Sequence, residues 1–157
     1  MTEQPVVANL QYAGDYRDRL EKAQKSGQCI FCTPEFQTDT SKLIASYRAW
    51  FARKNDFPTK DADGEYPEHH ILIVSKRHER WFDEILEPDW FDIMALCRIV
   101  RNTLDISGGG LAIRFDEPLW SGQTILHLHF HLIVPRIVPD PQNPGKSKSV
   151  PVYFPIG

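Results

Sequence analysis

His127, His129 and His131 alternate with Leu128, Phe130 and Leu132. Residues two apart on a strand share a face, so this spacing lays three imidazoles in a row over about 13 Å of chain, at about 3.3 Å per residue, with an all-apolar face behind them. Such a row can do two kinds of chemistry. Imidazole is a common ligand for zinc, copper and iron. Neutral imidazole is also a good nucleophile near pH 7 and can carry covalent and acid/base chemistry at phosphorus. The preceding Ser121-Gly122-Gln123-Thr124 supplies hydroxyls, small residues and backbone N–H groups that suit phosphate oxygens. A second constellation, Cys29-x-x-Cys32, has the spacing of half a structural zinc site. Ordinary core packing and a redox pair are the alternatives for those two cysteines. The other histidines are His69, His70 and His78.

Period and punctuation outline the elements that must position these groups. Residues 124–134 read as one strand, joined through a loop containing Pro118 and Trp120 to another at 111–115. Residues 11–25 read as a polar helix with Tyr12, Tyr16, Leu20 and Ala23 on one face, closed by Gly27. The aromatic and β-branched content of 42–57 favours strands, 59–68 is a polar loop, and 69–78 is a buried strand leaving the core. A long helix begins at Glu87-Pro88-Asp89. Trp90, Ile93, Met94, Cys97, Val100, Arg101 and Leu104 fall on one of its faces, and Gly108-Gly109-Gly110 stops it. Six of the twelve prolines lie at 135, 139, 141, 144, 151 and 155, which predicts an extended tail with at most an edge strand near 150–154. The simplest arrangement is one α+β domain over 1–157, a mainly antiparallel sheet with one long helix and a short N-terminal helix. Its core covers about 29–136, with a helical extension at 9–27 and a proline-rich tail at 137–157.

Bulk properties narrow the partners. A chain of 157 residues, 41% hydrophobic and 25% charged, is that of a globular domain. Its formal net charge of −3 argues against long nucleic acid, which needs clustered Lys and Arg, but admits a small nucleotide. No stretch approaches the roughly 20 apolar residues of a membrane span. The N-terminus lacks a secretory layout, so the expected location is cytoplasmic. Three cysteines argue against a disulfide framework, and Cys97 reads as a small core residue.

Three blocks, Cys29-Ile30-Phe31-Cys32, His70 through His78, and Ser121-Gly122-Gln123-Thr124 with His127 through Ile133, resemble the histidine triad family in its own order. The resemblance implies that His129 attacks the α-phosphorus of a nucleotide, forming a nucleotidyl-histidine that water, phosphate or another acceptor releases. It gives His131 the phosphate oxygens or leaving group and His127 the orientation of the neighbouring loop. It places Asn55, in Lys54-Asn55-Asp56-Phe57-Pro58, at the ribose hydroxyls, and Asp116 at a further polar contact. Ser121, Gly122, Gln123 and Thr124 would bind phosphate, with Arg114 a second candidate. It implies a structural zinc on Cys29, Cys32, His78 and His127, no organic cofactor, and His70 as a structural or pocket residue. A homodimer through the long helix is also implied, for which Trp90, Phe91, Met94 and Cys97 offer apolar surface. Blocks 54–58 and 114–127 look more like the dinucleoside polyphosphate branch. The first expectation is therefore hydrolysis or nucleotidyl transfer at a phosphoanhydride, with phosphorolysis open. Nucleoside phosphoramidate hydrolysis, non-catalytic nucleotide binding and a cupin-like metal site are the alternatives; the long helix and the Ser-Gly-Gln-Thr loop count against the last.

Overall fold

Aromatic and β-branched runs form the sheet that carries the histidines. In the computed structural model, which describes residues 5–10 and 12–156, the strands are β1 (Leu43–Tyr47), β2 (Trp50–Lys54), β3 (His69–Ser75), β4 (Gly110–Ile113) and β5 (His129–Val134). They pair antiparallel in the order β1-β2-β3-β5-β4. Around them lie α1 (Gly14–Ser26), α2 (Pro34–Thr38), α3 (Glu87–Thr103) and α4 (Pro118–Ser121). Parts of three sequence readings lie outside the described residues: Met1–Gln4 of the N-terminal stretch read as lacking a secretory layout, the helix start at Gln11 and the tail end at Gly157.

Register decides which side of the sheet carries the chemistry. His129 pairs with Val74 and His131 with Leu72, so the histidines share the face of those two apolar residues. That face packs on Leu20 and Ala23 of α1, on Phe31 and Phe36, and on Val6 and Val7. The opposite face, with Trp50, Ile71, Ile73 and Phe130, packs on Ile93, Leu96 and Val100 of α3. Trp50 Nε1 donates to Asp89 Oδ1 at 2.9 Å, and Arg77 grips both Asp89 oxygens at 2.8 and 2.7 Å. The start of α3 is thereby fastened to the end of β3.

Four expectations change. The strand expected over 124–134 begins only at His129, because β3 ends at Ser75 and offers no partner further on. Residues 125–128 bond elsewhere: Leu126 N–H to the Val6 carbonyl, Leu128 N–H to the Glu79 carbonyl, and Ile125 bridged to Val7. The inner face of α3 turns on Leu96, leaving Met94 at 49% exposure and Trp90 at 40%. That helix ends at Thr103, where Asp105 turns left-handed (φ 51°), and the glycine run comes later. Gly109 answers a different need: a Cβ there would sit 2.7 Å from the Ile133 carbonyl oxygen. The tail, finally, contains a hairpin of β6 (Ile137–Pro139) and β7 (Ser147–Ser149), while 150–154 holds only the isolated bridge of Val152 to Asp61. Asp140 closes that hairpin's turn by accepting from the Gln142 N–H and the Asn143 amide.

Candidate active site

Hydrogen bonds fix the tautomer of each histidine at the site. His129 Nδ1 lies 2.7 Å from the His127 carbonyl oxygen, which can only accept. Nδ1 therefore carries the proton and Nε2 keeps its lone pair. His127 Nε2 lies 2.8 Å from the Ser75 carbonyl, so its proton is there and Nδ1 holds the lone pair. The Thr59 N–H donates to His70 Nδ1 at 3.0 Å, leaving the proton on His70 Nε2, which donates to His131 Nδ1 at 2.9 Å. The proton of His131 is thus on Nε2. Two separate chains of bonds leave a lone pair on His129 Nε2 and a hydrogen-bond donor on His131 Nε2.

The rings of His129 and His131, 4.8 Å apart, line a cavity of about 200 Å³. Burial pushes His129 down to about 4 and His131 well below its ordinary range, so both are neutral at pH 7. The strand break at 125–128 separates their neighbour from them: His127 lines the metal-type cluster described below and no part of the cavity wall. Asn55, Gln123 and Thr124 line the cavity, whereas Ser121, Gly122 and Asp116 do not. In α4 the Ser121 and Gly122 N–H groups are engaged by the Glu117 and Pro118 carbonyls. Asp116 Oδ1 accepts from the Phe82 N–H at 2.8 Å. Gln123 donates to the Asp116 carbonyl at 3.1 Å, and its buried Oε1 has no partner among the described residues. It is a buried acceptor on a residue of the cavity wall.

Several lining residues escaped the sequence reading as site residues. Tyr12, Tyr16 and Phe57 form a ring cluster with centroid spacings of 4.8 Å (edge-on) and 4.4 Å (tilted), and Phe31 lies edge-on to His129 at 4.9 Å. Arg19, Phe154 and Pro155 also lie on the wall, as does Arg114, which the sequence offered as a phosphate candidate. The i, i+4 aromatic pair of Tyr12 and Tyr16 was a usable signal; nothing local marked Phe154.

Cys29, Cys32, His78 and His127 bring one ligand atom each within 4.8 Å of one another. The His127 lone pair at Nδ1 is 3.5 Å from both sulfurs, and His78 Nδ1 is 3.3 Å from Cys32 Sγ. A tetrahedral zinc with bonds of about 2.0–2.3 Å needs edges of roughly 3.3–3.8 Å, so the residues fit such an ion. Burial pushes the Cys29 thiol up to about 12 and raises Cys32, which counts against a redox pair; a cation would hold both as thiolates.

No known family model matches the sequence, and no curated protein matches it by sequence. Among solved structures, the chain is similar to a HIT family hydrolase from Clostridium thermocellum, at 24% identity and a TM-score of 0.51, over 69% of this chain and 90% of that one. It is also similar to a histidine triad nucleotide-binding protein from Candida albicans, at 18% identity and a TM-score of 0.53, over 83% and 85%. The chain has the histidine triad fold. A hypothetical protein from Leishmania major matches at 18% identity and a TM-score of 0.53, over 84% of each chain. The five-stranded antiparallel sheet and few helices of the histidine triad fold agree with the α+β class read from the sequence. No described helix is long and apolar enough to cross a membrane.

His70 gives the site a pH signature. Burial pushes it down to about 4 from an ordinary 6.5, and its Nδ1 cannot accept the Thr59 N–H once protonated. The unfolded chain therefore binds the proton first. The stability that neutral His70 contributes is complete above pH 6.5 and is lost as pH falls from there through about 4, by roughly 3 kcal/mol. Urea unfolding between pH 7 and 4 checks this: His70→Gln flattens the slope, and an unchanged slope excludes the assignment.

Proposed function

We propose that this protein cleaves a phosphoanhydride of a small nucleotide, of the dinucleoside polyphosphate kind, through a covalent nucleotidyl-histidine on His129. The observation that carries this is the bond from His129 Nδ1 to the His127 carbonyl, which leaves Nε2 as a lone pair on a cavity wall. Its neutrality at pH 7 supports the same reading. His131 Nε2–H stabilises the phosphate oxygens or leaving group, Thr124 and Arg114 add donors, and Asn55 meets the ribose. Tyr12, Tyr16, Phe31 and Phe57 enclose the nucleobase. Gln123 Oε1 accepts from a ligand hydroxyl.

The test is intact mass spectrometry after brief mixing with a dinucleoside polyphosphate. An added mass of one nucleotide is expected; its absence under single-turnover conditions, with ligand bound, leaves a non-catalytic nucleotide-binding protein. Hydrolysis is the first outcome for the adduct, with transfer to phosphate or another acceptor decided by which nucleophile discharges it.

The same reading assigns zinc to Cys29, Cys32, His78 and His127. With four protein ligands and no open position, the ion is structural. Thiol ligands of this kind stay reduced in a cytoplasmic setting. Phe91 at 78% exposure and Met94, both on α3, supply an apolar face for a homodimer. Sedimentation at micromolar concentration should give twice the chain mass; a monomer removes that part.

A further inference from the structure

Beyond β7 the chain turns back and reaches the cavity. Val150 is buried with its N–H on the Arg136 carbonyl, and the Pro151 carbonyl accepts from the Ala62 N–H at 2.8 Å. Arg136 also pairs with Asp61 at 2.7 Å, fastening the tail to the loop before β3. This anchoring sets the Phe154 ring 4.7 Å from the His131 ring, and the Arg114 guanidinium lies 4.4 Å over Phe154. The Pro155 carbonyl accepts from Arg114 Nε at 2.9 Å and Nη2 at 2.6 Å, while the Gly122 carbonyl accepts from Nη1 at 3.3 Å.

Both acceptors are neutral. A carboxylate in their place would cancel the guanidinium charge, whereas a carbonyl orients the group and leaves its charge whole. No ion pair among the described residues includes Arg114. Among the described residues three of its five N–H donors are engaged, which leaves two for a ligand. A half-buried cation with no anion beside it among the described residues, on the wall that also holds His129 and His131, calls for negative charge from whatever occupies the cavity.

We propose that Val152–Ile156 is a positioning element that holds Arg114, uncancelled, on the His131 side of the cavity, and that this selects nucleotides whose leaving group is itself a phosphate over those whose leaving group is an amine. The inference rests on the nucleotide chemistry proposed above. In the first step the His129 Nε2 lone pair bonds to the α-phosphorus and the bond to the bridging oxygen breaks. That oxygen keeps the electron pair and departs as a phosphate oxyanion, whose charge Arg114 meets. Water then bonds to phosphorus and releases a proton to solvent, and the P–N electron pair returns to Nε2. An amine leaving group brings no such anion, so Arg114 adds nothing to its departure.

The experiment compares kcat/KM for a dinucleoside polyphosphate and for a nucleoside phosphoramidate with the same nucleoside. It uses the full chain, Arg114→Gln, Phe154→Ala and a chain shortened after Val152, each with its melting temperature measured. The ratio favouring the phosphate leaving group should fall by about 100-fold in Arg114→Gln, the scale of losing one charge-stabilising donor. It should fall by about tenfold in the other two. If shortening prevents folding, the two substitutions carry the test. An equal loss on both substrates marks a purely structural tail and overturns the proposal, as does an unchanged ratio. If the full chain forms no nucleotide adduct with either substrate, the nucleotide reading itself falls. Adducts with an unchanged ratio sink only the inference about the tail.

Discussion

His129→Ala should abolish turnover, by on the order of 10⁴-fold or more in kcat, while the protein still folds. The lone pair that makes the bond to phosphorus is lost, and nothing nearby replaces it. His131 holds its proton on Nε2 and uses Nδ1 to accept from His70, and His127 faces the cysteines. The structural cost is smaller, about 1–3 kcal/mol for leaving the buried His127 carbonyl without its donor. Steady-state kinetics and intact mass together check the result. Wild-type turnover in the variant, or a nucleotide-sized mass increase on it, would exclude His129 as the attacking residue.

Cys29→Ala should remove the metal and destabilise the fold, and it should slow catalysis as well. Structural zinc binds with an apparent free energy of roughly 10–16 kcal/mol, much of which appears as folding stability. A domain of this length shifts by roughly 2–4 °C per kcal/mol, so losing even a third of that predicts a melting temperature lower by about 7–21 °C. Catalysis suffers because His127 faces two ways. Its ring lies among the cluster ligands, while its carbonyl fixes the proton on His129 Nδ1. Elemental analysis and thermal unfolding, with and without a chelator, check this. Protein that contains no zinc and melts unchanged in chelator would remove the metal from the account.

The sheet, the histidine face and the cysteine–histidine cluster were legible because their signals are local. Alternation at 127–132 marked the histidine face, Pro88 marked the start of α3, and Cys-x-x-Cys marked half of a four-residue cluster that the fold closes with His78 and His127. What escaped depends on partners distant in sequence. The early end of β3 shortens the last long strand, and no pattern within 124–134 records that. The Ser121 and Gly122 N–H groups read as free donors, yet a single turn of helix engages them. Proline-rich composition describes a tail that resists pairing, and it is silent about a Phe154 brought beside His131 by anchors at Asp61 and Ala62.

The cavity is walled on one side by Tyr12 and Tyr16, and on another by Phe154 and Pro155, none of which belongs to the five-stranded sheet. The imidazoles of His129 and His131, by contrast, sit on a strand flanked on both sides, one held by the buried His127 carbonyl and the other by His70. Ligand preference can therefore diverge through substitutions in these peripheral segments at little cost to the sheet. Two chains with the same histidine row can accordingly serve different metabolites.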